Sequence, residues 1–151
     1  MAKSITDDLN NVTSEVWSSM ANTSLEPSEQ IVTPAELNGY VVSSVQVAGA
    51  WEGSVRLDMN LDMARTTTAR LLGAEEADVS PEDIHDAVGE LANMLGGGVK
   101  ELMPQPCKLS LPSVAIGDER KSIISRGRVT TECSFIADSG RLHVTVVENE
   151  T

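Results

Sequence analysis

The sequence contains few cations and few aromatic side chains. In 151 residues it has 11 Lys and Arg against 23 Asp and Glu, a formal net charge of −12, and aromatic residues make up 3%. Proteins that bind nucleic acid or anionic membranes use clustered cations, and single-strand binders stack bases on aromatic rings. The composition therefore predicts that neither nucleic acid nor a membrane surface is a partner.

Cysteine and histidine are also scarce. Cys107 and Cys133 are 26 positions apart, no Cys-x-x-Cys occurs, and the histidines are His85 and His143. Structural zinc sites use four N or S ligands at paired spacing, so neither a metal site nor a disulfide framework is expected. No apolar run reaches the roughly 20 residues of a membrane span, and residues 1–8 lack a signal-peptide core. We therefore expect a cytoplasmic protein with two inert thiols.

The length and the order of apolar patterns predict one α+β domain over residues 1–151. About 150 residues is the usual size of a domain. Helical spacing, strand-like runs and turn residues predict the following elements: a helix to about residue 20, a loop over 21–39, a hairpin of strands 40–47 and 54–59, a helix over 62–72 ending at Gly73, a connector over 74–79, a helix from Ser80 to about Met103, and strands over 107–116, 123–136 and 142–148. Hairpin-linked strands with grouped helices favour a mostly antiparallel sheet with the long helices on one face.

The helix that begins after Ser80 has the clearest start signal in the chain. Ser80 can act as the N-cap, Pro81 suits the first helical position, and Glu82 and Asp83 favour the positive helix end. At about 100° per residue, one face carries only apolar side chains and is expected to pack on the sheet: Ile84, Val88, Leu91, Leu95, Val99 and Leu102.

The opposite face of this helix carries a polar row. Asp86, Glu90 and Asn93 point the same way, and Gly97 follows one turn after Asn93. Glycine inside a helix costs roughly 0.5–1 kcal/mol relative to alanine, so the run 96–98 needs a reason. Either it leaves room for another molecule beside Asn93, or the glycines pack against the protein's own sheet.

The residues of this helix resemble the signature helix of the CheC/CheX/FliY chemotaxis phosphatases. The shared pattern is Asp or Ser, Glu four positions later and Asn three positions after that, here Asp86, Glu90 and Asn93 followed by Met94-Leu95-Gly96-Gly97. The segment Leu109–Gly117, which contains Pro112, resembles the proline-containing strand that follows in the same pattern. The resemblance covers nearly the whole chain and implies a CheC-like pseudo-duplicated unit, closest to CheX-like members with a single motif.

The resemblance implies hydrolysis of the aspartyl phosphate on a CheY-like response regulator. Asn93 would orient the attacking water, and Glu90 would pair with the regulator's active-site lysine. Gly97 would let the regulator's loops approach, and Asp86, on the same face, would make an accessory contact or help to orient the helix. The regulator itself would hold Mg²⁺, so this chain needs no bound cofactor. A homodimer formed by joined sheets, with the Val-rich strands as its edges, is also implied. The alternative is a non-enzymatic adaptor that binds a receiver domain or a flagellar switch protein through the same helix.

The other residues that could have a functional role are interpreted as structural or surface residues. Asn11, Glu15 and Ser18 repeat the spacing on the first helix, but Ser18 stands where Asn is required, so one active motif is expected. His143 lies in a predicted strand with no evident acid or nucleophile nearby, and His85 lies off the polar row. Trp17 and Trp51 are expected to pack, although Trp51 in a hairpin turn could be a contact point.

Overall fold

The protein is an α+β domain in which three helices accompany an antiparallel sheet. The structure, a computed structural model, describes residues 5–28, 40–117, 127–137 and 140–149. Its elements are α1 (Thr6–Ala21), β1 (Glu26–Ser28), β2 (Tyr40–Gly49), β3 (Gly53–Asn60), α2 (Leu61–Leu72), a 3₁₀ turn (Glu76–Asp78), α3 (Pro81–Leu102), β4 (Cys107–Leu109), β5 (Ser113–Ile116), β6 (Arg128–Ala137) and β7 (Gly140–Glu148).

The sheet has the strand order β1-β6-β7-β3-β2-β4, and β5 pairs with β2 on the same edge as β4. Every pairing is antiparallel. The predicted hairpin is confirmed as β2 and β3, with Val45 opposite Val55. The predicted fold class is also confirmed, because the three helices accompany a sheet in which every pairing of described strands is antiparallel.

The three helices pack on one face of the sheet. Paired positions Ser43, Leu57, Val144 and Cys133 form one row across the sheet on this face. The Ser43 hydroxyl lies 3.5 Å from the Val88 carbonyl of α3, and Cys133 Sγ lies 3.8 Å from the Thr6 carbonyl of α1. The largest side chains buried in this layer are Trp17, Phe135, Leu9, Leu57, Met59, Met63, Ile84, Leu91, Leu95 and Leu142.

Two tryptophans and the end of α2 agree with the sequence. Trp17 is fully buried, with its indole N–H 3.4 Å from the Thr67 hydroxyl, and Trp51 is partly buried against the core. Gly73 ends α2 with a left-handed φ of 64°, which a residue without a Cβ adopts readily. The packing interpretation of both tryptophans is confirmed.

The prediction of a loop over residues 21–39 is wrong in part, because β1 lies within it. Glu26, Pro27 and Ser28 pair with Ile136, Phe135 and Ser134 of β6. The segment has no alternating apolar pattern, and Pro27 lacks a backbone donor, so it is accommodated only at the edge of the sheet. Residues 29–39 lie outside the described part of the chain.

Two strand predictions also change. The strand predicted over 107–116 is two strands, β4 and β5, separated at Pro112, in agreement with an edge strand or a bent one. The strand predicted over 123–136 is β6, described from Arg128 to Ala137, and residues 118–126 lie outside the described part. In the described residues, no helix is long and apolar enough to cross a membrane.

Candidate functional site

The start of α3 is held by the predicted cap. The Asp83 N–H donates to Ser80 Oγ at 3.0 Å, and the Ser80 N–H donates to Asp83 Oδ2 at 3.0 Å. This capping box satisfies two backbone donors that the helix leaves unpaired. At the other end, the Gln105 side-chain amide donates to the carbonyls of Lys100 and Met103 at 2.6 and 3.0 Å. Both ends of the 22-residue helix are therefore held by side chains.

The predicted orientation of α3 is confirmed over nearly its whole length. Ile84, Val88, Leu91, Leu95 and Val99 are all at most 2% exposed. Leu102, predicted on the same buried face, is 36% exposed. It is the last residue of the helix, where the chain leaves the sheet layer, so helical phase alone does not bury it.

The polar row points away from the core. Asp86 and Glu90 are exposed and Asn93 is half-buried. Among the residues that the structure describes, neither the Glu90 carboxylate nor the Asn93 carboxamide makes a hydrogen bond or an ion pair. Asp86 lies 3.7 Å from His85 Nδ1, and both side chains are more than half exposed. Glu90 and Asn93 are thus presented together on the outward face of a helix capped at its start, with no hydrogen bond to any residue that the structure describes.

The three consecutive glycines of α3, residues 96–98, serve two different purposes. A Cβ on Gly96 would lie 2.5 Å from Val45 Cγ1 of the sheet, and one on Gly98 would collide with Val12 of α1. A Cβ on Gly97 would meet nothing within 4 Å. Both interpretations of the glycine run therefore apply, because Gly96 and Gly98 allow internal packing whereas Gly97 leaves an open surface beside Asn93.

This division predicts opposite effects on stability for two neighbouring substitutions. Gly97→Ala should raise the free energy of unfolding by about 0.5–1 kcal/mol, since it only removes the glycine penalty. Gly96→Ala should lower it by about 1–3 kcal/mol, because Val45 must move. Urea unfolding followed by circular dichroism measures both. Equal effects of the two variants would contradict the packing described for Gly96.

Pro112 lies beside the site rather than in it. A Cβ on Gly89, one residue before Glu90, would lie 3.4 Å from both Pro112 Cγ and Val114 Cγ2. The segment that resembles the family's proline-containing strand therefore packs directly against α3. Its contact with α3 helps to hold the helix, and through it Glu90 and Asn93, in position.

The repeated spacing on α1 also faces solvent. Asn11, Glu15 and Ser18 are all exposed. This row has the exposure of the α3 row but lacks the carboxamide at its last position. The assignment of a single active motif, on α3, stays a prediction.

The sequence interpretation of His143 is wrong, because an acid and a hydroxyl lie next to it. Its Nδ1 is 2.7 Å from Ser134 Oγ and its Nε2 is 3.0 Å from Glu132 Oε1. Ala137 pairs with Gly140 at the turn of the β6–β7 hairpin, and this register places Ser134 opposite His143. Because the turn could be located in the sequence, the same register could have indicated this pair. The group lies on the sheet face away from the helices, and Ser134 is 2% exposed, so it does not belong to the α3 site.

Within the described part of the chain, no group of three or more His, Cys, Asp or Glu residues is arranged to hold a metal. Cys107 and Cys133 are both free and buried. Burial, followed by the negative charges of Asp7 and Glu132, raises the pKa of the Cys133 thiol to about 11. Since the thiolate is the nucleophile, Cys133 is chemically inert at neutral pH.

Solved structures of chemotaxis proteins share this fold. The chain is similar to chemotaxis protein CheX from Vibrio vulnificus, with a TM-score of 0.76, 21% identity and 96% of each chain covered. CheX from Desulfovibrio desulfuricans has a TM-score of 0.74 at 23% identity, covering 96% of this chain and 99% of that one. A CheX-CheY-BeF3-Mg²⁺ complex from Borrelia burgdorferi has a TM-score of 0.73 at 18% identity, covering 95% and 97%.

The sequence itself matches one family. No curated protein sequence matches the chain. The family described as chemotaxis phosphatase CheX matches residues 41–134, which include nearly all of β2, then β3, α2, all of α3 and most of β6. This match covers more than half of the chain and contains the polar row and Pro112. The resemblance found in the sequence is thereby confirmed, and the chain belongs to the CheX family of chemotaxis phosphatases.

Proposed function

We propose that the protein hydrolyses the aspartyl phosphate of a response-regulator receiver domain by inserting Glu90 and Asn93 into its phosphorylation pocket. The observation that carries the proposal is the presentation of these two side chains. They project from one face of a capped helix, without hydrogen-bond partners among the described residues, beside the open surface at Gly97. The family match and the solved complex of a CheX with CheY, BeF3 and Mg²⁺ support a receiver domain as the partner.

In the proposed reaction, Asn93 positions the nucleophile. Its carboxamide both donates and accepts hydrogen bonds, so it can hold a water in line with phosphorus. The water oxygen forms a bond to phosphorus, the bond from phosphorus to the aspartyl oxygen breaks, and the carboxylate leaves with the electron pair. The water's protons pass to phosphate and solvent. Such phosphoryl transfer has a loose transition state and needs positioning more than a strong base.

Glu90 has a different task in this proposal. Its carboxylate pairs with the receiver's active-site lysine and so sets the depth and angle at which α3 enters. Mg²⁺ and that lysine belong to the receiver and neutralise the phosphoryl oxygens, so this chain binds no cofactor of its own. Asp86, one turn earlier and largely exposed, makes an accessory contact at the rim.

Glu90→Ala should weaken association and turnover together. Removing one partner of a charge pair that docking desolvates should raise the Kd for an activated receiver domain at least about tenfold. Asp86→Ala, the matched loss of a carboxylate from the same row, should change the Kd less than about threefold. Titration calorimetry with a beryllofluoride-activated receiver domain measures both. An unchanged Kd for Glu90→Ala would contradict the role assigned to Glu90.

The same helix could serve an adaptor that binds without hydrolysis, as the sequence analysis also allowed. The two functions differ in the fate of the phosphate. With one protein molecule per twenty or so phosphorylated receivers, the phosphatase releases inorganic phosphate from all of them over successive turnovers. An adaptor leaves the phosphate lifetime unchanged or lengthens it. Receiver domains from the same organism, phosphorylated with acetyl phosphate, are the substrates for this assay.

A homodimer and a cytoplasmic location complete the proposal. Cytoplasm is the compartment of receiver domains and suits two free thiols. The expectation that Val-rich strands supply the dimer edges is wrong, since β2, β3 and β7 lie inside the sheet. In the described chain, the edges are β1 and the β4–β5 side, so a joined sheet would use one of these. Sedimentation equilibrium measures the oligomeric state.

A further inference from the structure

The connection between β4 and β5 runs alongside α3. Leu109 Cδ2 would lie 3.4 Å from a Cβ on Gly96, and Pro112 is at the same distance from one on Gly89. The connection therefore runs antiparallel to α3 over the seven positions that separate Gly96 from Gly89, about 10 Å at 1.5 Å per residue. Asn93 lies between these two contact points. The residues between Leu109 and Pro112 thus border the face from which Asn93 projects.

The connection is held firmly to the sheet. The Ser110 N–H donates to the Gln46 carbonyl at 2.9 Å, and the Gln46 N–H donates to Ser110 Oγ at 2.9 Å. Leu109 pairs with Val47 and Ser113 with Ser44, so Leu111 and Pro112 together oppose Val45 as a bulge. Bulges re-aim side chains beside functional sites. Here the bulge presents Leu111.

Leu111 is 89% exposed, the highest exposure of any large apolar side chain in the described residues. The other exposed large apolar residues range from 36% at Leu102 to 56% at Leu72. A single exposed apolar residue is ordinary in itself. Leu111 differs in two respects. Its backbone is anchored on both sides, and it adjoins the polar row of α3, which otherwise offers a partner only charged and amide groups. Because this backbone is already held to the sheet, binding would cost little further backbone ordering.

We propose that Leu111 is an apolar anchor that packs on the receiver domain beside its phosphorylation pocket when α3 docks. This inference rests on the proposed function. A domain that reaches Glu90 and Asn93 must lie across the outward face of α3. The β4–β5 connection borders that face, so the partner covers Leu111 as well. The feature of the receiver domain that Leu111 contacts is an apolar patch at the rim of the phosphorylation pocket, adjacent to the charged groups inside that pocket.

The test compares Leu111→Ala, Leu111→Met and Val129→Ala in the full chain. Val129 is 50% exposed on β6, three strands from β2, and serves as the matched control. The probes are receiver domains from the same organism, activated with beryllofluoride and Mg²⁺ for binding and phosphorylated with acetyl phosphate for turnover. Leu111→Ala should raise Kd and KM about five- to tenfold. It should leave kcat within twofold, because Glu90 and Asn93 are intact.

Leu111→Met and Val129→Ala should match the wild type in Kd within about twofold, and all three variants should keep the wild-type melting temperature. If the wild type dephosphorylates a receiver and Leu111→Ala binds it equally well, the anchor is overturned and the proposed function stands. A lower kcat at unchanged Kd would also overturn it. If the wild type neither binds nor dephosphorylates any receiver, the proposed function fails and the anchor with it.

Discussion

Asn93→Ala is expected to lower the turnover of a phosphorylated receiver domain at least about 100-fold while leaving the complex intact. The side chain is half-buried and makes no hydrogen bond among the described residues, so its removal disturbs little of the fold. What it removes is the group that holds water in line with phosphorus. The Kd for a beryllofluoride-activated receiver should stay within about threefold of the wild-type value, because Glu90 carries the charge contact.

Two control variants distinguish the chemical role of the Asn93 carboxamide from the general effect of changing a surface residue. Asn11→Ala removes the same carboxamide from the exposed face of α1 and should leave turnover unchanged. Asn93→Asp keeps the shape but loses the donor and adds a negative charge facing the phosphoryl group, so it should be as slow as Asn93→Ala. Release of inorganic phosphate, followed over time, measures all three. Normal turnover by Asn93→Ala would exclude Asn93 as the water-positioning group.

Gly97→Leu is expected to abolish docking, with the Kd raised at least about 100-fold and turnover lost with it. A Cβ at this position would meet nothing within 4 Å, so we expect the fold to accept the leucine. Helix propensity even predicts a gain of about 0.5–1 kcal/mol in the free energy of unfolding. The new leucine would occupy the surface that a receiver domain must approach to reach Asn93.

The control for Gly97→Leu is Ser18→Leu, which adds the same apolar side chain to the exposed face of α1. It should leave affinity and turnover unchanged if α3 is the only docking helix. Calorimetry and phosphate release measure affinity and turnover, and thermal unfolding checks the fold. A stable Gly97→Leu variant that still turned over normally would contradict the close approach proposed for this surface.

Local signals in the sequence were sufficient to predict α3 and its outward face. Ser80, Pro81 and Asp83 start the helix through contacts within four residues, and the apolar period of 3.6 orients it toward the sheet. The same signals placed Glu90 and Asn93 on one exposed face. Nothing in this part of the prediction required knowledge of distant residues.

Features that depend on contacts with distant residues could not be predicted from local sequence patterns. Gly96 and Gly97 are indistinguishable by helical pattern, and only the positions of Val45 and the open surface separate them. The strand pairing of Pro27 depends on β6, more than 100 residues later in the chain. The exposure of Leu111 arises from a one-residue bulge opposite Val45, which a short apolar run does not reveal.

The central claim is that Glu90 and Asn93 enter a receiver domain's phosphorylation pocket together. A crystal structure of this chain bound to a beryllofluoride-activated receiver with Mg²⁺ tests it most directly. We predict that the Glu90 carboxylate lies about 3 Å from the receiver's active-site lysine and that the Asn93 carboxamide faces the beryllium. A complex in which the receiver binds elsewhere, with α3 still facing solvent, would contradict the claim.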